Sequence, residues 1–127
     1  MEKAVLITGA TGGIGYELAK IFAAEKNNLV LVARNSKRLK EIKEHFEANY
    51  HIRVHILSKD LAEKDAAANI YREVTLQNIK IDILVNNAGF GDFGEFFKAD
   101  WQNQYEMIQV NIVSLMQLTR LFVPDMI

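Results

Sequence analysis

The sequence contains no cysteine, one proline, one tryptophan and no surplus of charge. Without cysteine there is no disulfide framework, no thiolate chemistry and no thiolate metal site. The 15 Lys and Arg residues balance 16 Asp and Glu residues, so nothing overall points to nucleic acid or an anionic membrane as partner. No stretch reaches the ~18 consecutive apolar residues of a membrane span. The opening MEKAVLITGA has only a short apolar run after one Lys, too short for a secretory signal. Repeats, linkers and low-complexity segments are also missing. A cytoplasmic protein without membrane or nucleic-acid partners is therefore expected. With 127 residues, 50% of them apolar, the chain suffices for one domain with a real core and not for two.

What is present is a regular alternation. KAVLIT (3–8) is a short apolar run ending at glycines, as a buried strand would. Residues 14–26 carry Ile14, Leu18, Ile21 and Phe22 at helical spacing. NLVLVA (28–33) is a second strand. Residues 36–48 form a charged amphipathic helix with Ser36 as cap and Leu39, Ile42 and Phe46 on one face. HIRVHIL (51–57) alternates like an edge strand, and 63–78 read as a third helix opened by Asp60-Leu61. IDILVNNAG (81–89) is a fourth strand running into a turn. Strands 3–8 and 81–86 read as central, covered on both faces. A loop at 90–100 and a long helix at 101–126 complete the chain. Strict β-α alternation implies a parallel sheet with right-handed crossovers. The expected fold is α/β: a Rossmann-like doubly wound sheet of about four strands in order 3-2-1-4.

The last helix is apolar around its whole axis, from Met107 and Ile108 through Ile112, Val113 and Met116 to Leu121 and Phe122. One face can cover the sheet. The other needs a further layer or a second subunit, and a homo-oligomer through 101–126 is the expectation.

TGATGGIG (8–15) places glycines between a strand and a helix. Such a turn lets a pyrophosphate approach the unpaired N–H groups and positive dipole of the helix N-terminus. The spacing is neither G-x-G-x-x-G nor a P-loop. At the end of the second strand, where an acid would accept from an adenosine 2′-hydroxyl, the sequence reads Val32-Ala33-Arg34-Asn35. Arg34 is a fork suited to a 2′-phosphate, which favours NADP over NAD. Asp60 could accept from an adenine amino group or cap the helix that follows.

Together, TGATGGIG and NNAG (86–89) resemble the short-chain dehydrogenases/reductases, and the resemblance runs the whole length of the chain. It implies that Gly9, Gly13, Ile14 and Gly15, with Thr11 and Gly12 in the same turn, meet the cofactor pyrophosphate and its surroundings. It implies that Arg34, beside Asn35, holds the 2′-phosphate, and that Asp60 and Leu61 frame adenine. Asn87, Ala88 and Gly89 would pass beside the adenosine-side ribose. Asn111 would be the catalytic helix asparagine, whose backbone carbonyl binds a water of the proton relay. One departure is Gly12, where NADP-preferring members often carry Arg or Lys.

The family's chemistry also needs a Ser and a Tyr-x-x-x-Lys, the lysine lowering the tyrosine pKa. In the family these follow the fifth strand, beyond the residues present, so the catalytic half is expected to be absent. The one Tyr-x-x-x-Lys here, Tyr16 and Lys20, follows the phosphate turn directly and reads as a surface contact of the first helix. Ser114 is on the wrong element for the catalytic serine. His51 and His55, with Arg53 between them, read as an exposed strand face rather than a metal pair. The loop of Gly91, Phe93, Gly94, Phe96 and Phe97 either flanks a substrate cleft or packs under the last helix. Three functions remain open: part of an NADP(H)-dependent oxidoreductase acting on a small-molecule carbonyl or alcohol, a non-catalytic dinucleotide-binding module, or a half-enzyme completed by a second chain.

Overall fold

The computed structural model describes residues 1–91 and 94–127. Four parallel strands form one sheet in the order β3-β2-β1-β4: β1 (Glu2–Thr8), β2 (Asn28–Ala33), β3 (Val54–Ser58) and β4 (Ile79–Val85). The helices are α1 (Gly13–Ala24), α2 (Ser36–Tyr50), α3 (Ala66–Leu76), α4 (Trp101–Ile108) and α5 (Leu115–Met126). Successive side chains of a strand point to opposite faces, and the core divides accordingly. Val5, Ile7, Leu29 and Leu31 pack under α1 and α2 with Ala19, Ala23, Leu39, Ile42 and Phe46. Ala4, Leu6, Val30 and Val32 pack on the other face with Ile70, Val74, Leu118 and Phe122 of α3 and α5. The sheet is doubly wound, as the alternation implies.

Several boundaries depart from the sequence pattern, each for a local reason. Asn35, not Ser36, caps α2: its Oδ1 accepts from the Arg38 N–H at 3.0 Å. That helix runs on to Tyr50 and ends with His51 in the left-handed conformation (φ +57°). The third strand therefore starts at Val54, not at His51. The third helix starts only at Ala66, because residues 61–65 turn first. In α1 the buried face is Gly15, Ala19 and Ala23, whereas Ile14 and Ile21 are exposed. Small residues there let the helix lie close against the sheet.

β4 is not a central strand here: it borders the sheet, and its Asp82 and Ile83 are exposed. The expected helix over 101–126 is also not regular. Between α4 and α5 lies a π-helical segment, Gln109–Ser114. Val110, Ser114, Leu118 and Phe122 face the sheet, while Ile108, Ile112, Val113 and Met116 face outward. Among the described residues, no helix is long and apolar enough to cross a membrane.

Candidate dinucleotide site

The strand order reverses between β1 and β4, and a crevice belongs at the carboxyl ends of strands flanking such a switch point. Thr8 stitches those ends together. Its Oγ1 accepts from the Asn87 N–H at 3.0 Å and the Ala88 N–H at 2.9 Å, and donates to the Val85 carbonyl at 3.4 Å. The Asn87 amide donates to the Gly9 carbonyl at 3.1 Å. Gly9 itself turns the chain with φ +66°, a conformation costly for other residues.

Gly15 is required for another reason. A Cβ there would stand 2.2 Å from the Gly9 carbonyl oxygen and 2.5 Å from the Asn87 amide nitrogen. The first turn of α1 therefore lies directly against the β1 turn. Gly12 occupies the N-cap of α1 and supplies no side-chain cap, and the first turn carries no acid. The N–H groups and the positive end of this helix are thus left for an incoming anion.

A cleft of about 590 Å³ opens over these strand ends. Gly9, Thr11 and Gly12 form its middle, Arg34, Asp60 and Leu61 one end, and Asn87, Ala88 and Gly89 the other. These nine residues, drawn from four separate segments of the sequence, meet in one cavity. Gly13 and Ile14 stand outside its lining, Ile14 being 72% exposed. Gly15 sits behind the turn, and Asn35 is occupied as the cap of α2. Asp60 does not cap α3. Its Oδ1 accepts from the Ala62 N–H at 2.9 Å and shapes the turn that follows β3.

Asn111 lies in the π segment, outside the cleft lining. Its side chain grips the backbone after NNAG: Oδ1 accepts from the Phe90 N–H at 3.0 Å, and Nδ2 donates to the Phe90 carbonyl at 2.7 Å. Lys59, Asn103, Glu106 and Val110 also line the cleft, and sequence reading missed them. The last three recur every three to four residues, a helical-face signal masked by the apolar residues around them. Lys59 pairs with Glu73 at 2.9 Å.

The remaining candidates fall away from the cleft. Tyr16 stacks on Phe46 with ring centroids 5.8 Å apart, and Lys20 and Arg38 lie over its ring at 5.5 and 5.1 Å. Tyr16 is thus a contact between α1 and α2, and Lys20 lies beside it on α1. Ser114 is buried and donates to the Leu61 carbonyl at 2.6 Å. The strand face with His55 is not simply exposed: His55 and Arg53 both reach Glu2, at 2.9 and 3.4 Å. His51 caps α2 instead of sharing that face. No cluster of metal-ligating side chains occurs among the described residues. Phe96 and Phe97 are about four-fifths exposed and do not pack under the last helix; Phe93 lies outside the described residues.

Known proteins share this arrangement. A very-long-chain 3-oxoacyl-CoA reductase of Danio rerio is 34% identical over 130 residues, covering 99% of this chain and 40% of that protein. The L-sorbose reductase of Gluconobacter frateurii, solved with NADPH and L-sorbose, superposes with a TM-score of 0.90 at 31% identity, over 98% of this chain and 48% of that one. A metagenomic short-chain oxidoreductase solved with NADP gives 0.88 at 29% identity, over 98% and 56%. The chain spans about half the length of the curated relatives it matches. Residues 3–127 match the short chain dehydrogenase family. With the strand order, the stitched switch point and this match in agreement, the chain belongs to the short-chain dehydrogenase family.

Proposed function

We propose that this chain is the NADP(H)-binding half of a short-chain oxidoreductase. The observation that carries the reading is the cleft itself. A helix N-terminus with neither side-chain cap nor acid stands at its centre, and Arg34 stands at the strand end where an acid would favour NAD. Among the described residues, no carboxylate forms an ion pair with Arg34. Relatives solved with NADPH or NADP support the same choice.

In this reading Gly9, Thr11, Gly12 and Gly13 present backbone to the pyrophosphate, with Ile14 beside them and Gly15 setting the closeness of the turn. Arg34 forks onto the 2′-phosphate beside Asn35, and Asp60 and Leu61 border adenine. Asn87, Ala88 and Gly89 pass the ribose. Asn111 fixes the backbone after NNAG and serves as the catalytic helix asparagine. The bound cofactor supplies or accepts the hydride exchanged with a carbonyl or alcohol carbon of a small molecule. No Ser with a following Tyr-x-x-x-Lys stands in the family's place within these 127 residues, so domain 1–127 alone binds and does not turn over. We place it in the cytoplasm, testable by fractionation.

Calorimetric titration of the wild-type chain and Arg34→Ala with NADPH and NADH tests the cofactor. A charge-assisted hydrogen bond contributes ~1.5–3 kcal/mol, so the variant is expected to lose about 10- to 100-fold in NADPH affinity and little for NADH. Equal losses for both sink the 2′-phosphate role.

The outward face of α4–α5, with Ile108, Ile112 and Met116 exposed, favours a second element of the proposal: the protein works as an assembly, either a homo-oligomer through 101–126 or a half completed by another chain. Light scattering that shows a monomer at tens of micromolar would count against the homo-oligomer.

A further inference from the structure

Buried polar side chains are rare in this chain, and each calls for a physical reason. Among the described residues they are Thr8, Gln109 and Ser114. Thr8 holds the switch point together. The other two do nothing for the cleft directly. Gln109 Nε2 donates to Ser114 Oγ at 3.4 Å, and Ser114 Oγ donates to the Leu61 carbonyl at 2.6 Å, 53 residues away in sequence.

Gln109 and Ser114 are the first and last residues of the π segment, and Asn111 lies between them. The six residues therefore hold two different loops. Ser114 holds the loop after β3, where Asp60 and Leu61 form one end of the cleft. Asn111 holds Phe90, next to Gly89 at the other end. Gly89 leaves just enough room: a Cβ there would stand 2.7 Å from Asn111 Oδ1.

A π-helical turn is a rare geometry that relaxes to α-helix unless its surroundings hold it. Relaxation rotates residues on one side of the turn relative to the other by roughly 100°, the α-helical step of the one extra residue a π turn accommodates. Asn111 and Ser114 cannot keep both of their partners through such a rotation.

We infer that Ser114 is a positioning residue. Its bond to Leu61 holds the π segment in register, and through it the Asn111–Phe90 grip, so that the two ends of the cleft are coupled. The inference rests on the reading of the cleft as a dinucleotide site only for its use: adenine held at Asp60 and Leu61 orders the backbone after Gly89, beside the adenosine ribose.

The test is amide hydrogen exchange on the full chain without ligand. Ser114→Ala is expected to speed exchange of the Phe90 N–H by about fivefold or more relative to the Leu31 N–H, which reports global opening of the central sheet. Asn111→Ala is expected to speed exchange of the Ala62 N–H in return, since coupling between sites is reciprocal. Ser114→Cys, close in size but a weak donor, is the second variant should the alanine form fold poorly, and is expected to fall between the two. Phe90 exchange that follows Leu31 in every variant overturns the coupling.

Addition of 2′,5′-ADP, which carries only the adenosine half, is expected to slow Phe90 exchange in the wild-type chain and not in Ser114→Ala. Binding without that response, or with equal slowing in Ser114→Ala, overturns the coupling and leaves the cofactor reading standing. Failure of 2′,5′-ADP to bind overturns the cofactor reading, and the ligand-free rates still decide the coupling.

Discussion

Two helices flank the switch point, and they solve opposite problems. α1 is regular, short and buried along a seam of Gly15, Ala19 and Ala23. The α4–α5 rod is interrupted by a π turn, anchored by Asn111, Ser114 and Phe122, and apolar on a face where Ile112 and Met116 are more than half exposed. The first helix must come close to backbone, so its constraints are steric. The second must hold two loops at a distance, so its constraints are polar and directional. Each kind of constraint fails in its own way, and that difference can be measured.

The largest effect is expected at the steric helix. Gly15→Ala adds one methyl where Gly9 and Asn87 already sit, both 2.5 Å or less from it. Overpacking of this kind costs ~1–3 kcal/mol, and the turn must move to relieve it. Urea unfolding should show the loss, and titration should show weakened binding of NADPH and NADH alike. That common loss distinguishes Gly15 from Arg34, whose removal acts on one cofactor. An unchanged midpoint would mean that the contact between α1 and the β1 turn is looser than the geometry implies.

The same contrast separates what was legible in the sequence from what was not. The glycine turn, the strand order, Arg34 and NNAG follow from patterns of two to eight neighbouring residues, because phosphate turns and parallel strands impose local requirements. The seam of α1 was misread because hydrophobicity pointed to Ile14 and Ile21, while the need for close approach selected Gly15, Ala19 and Ala23. Lys59, Asn103 and Glu106 were missed because nothing local marks a side chain that faces a cavity built from distant segments. Ser114 was weighed only as the family's catalytic serine. Its partner is a backbone carbonyl 53 residues away, and a carbonyl leaves no mark in sequence.

A smaller effect is expected where the rod docks on α3. Tyr71 donates to Asp125 at 2.7 Å and its ring meets Phe122 edge-on at 5.0 Å. The hydrogen bond to Asp125, then burial and the carboxylate charge, raise the phenol above its ordinary pKa of 10.0. A raised folded-state value means that the proton is held more tightly in the folded form. The associated stability is complete below pH 10.0 and is lost as pH rises through the folded value. Denaturant midpoints taken from neutral to strongly alkaline pH should therefore fall more steeply above pH 10.0 for the wild-type chain than for Tyr71→Phe. Parallel curves would show that this anchor contributes nothing specific.

The smallest change in stability, and the sharpest test of the rod's outer face, comes from Ile112→Glu combined with Met116→Glu. Both side chains are more than half exposed, so folding of one chain should shift by no more than ~0.5 kcal/mol for each. They lie four apart in sequence, across the junction of the π segment and α5. A charge pair there removes any tendency of two such apolar faces to associate, because each carboxylate would have to be desolvated on contact. If the rod is an interface between copies, the double variant should run at half or less of the wild-type mass in light scattering, with its urea midpoint almost unmoved. If mass stays the same while stability falls, those residues are packed within one chain, and the contrast between a buried α1 and an open rod would not hold.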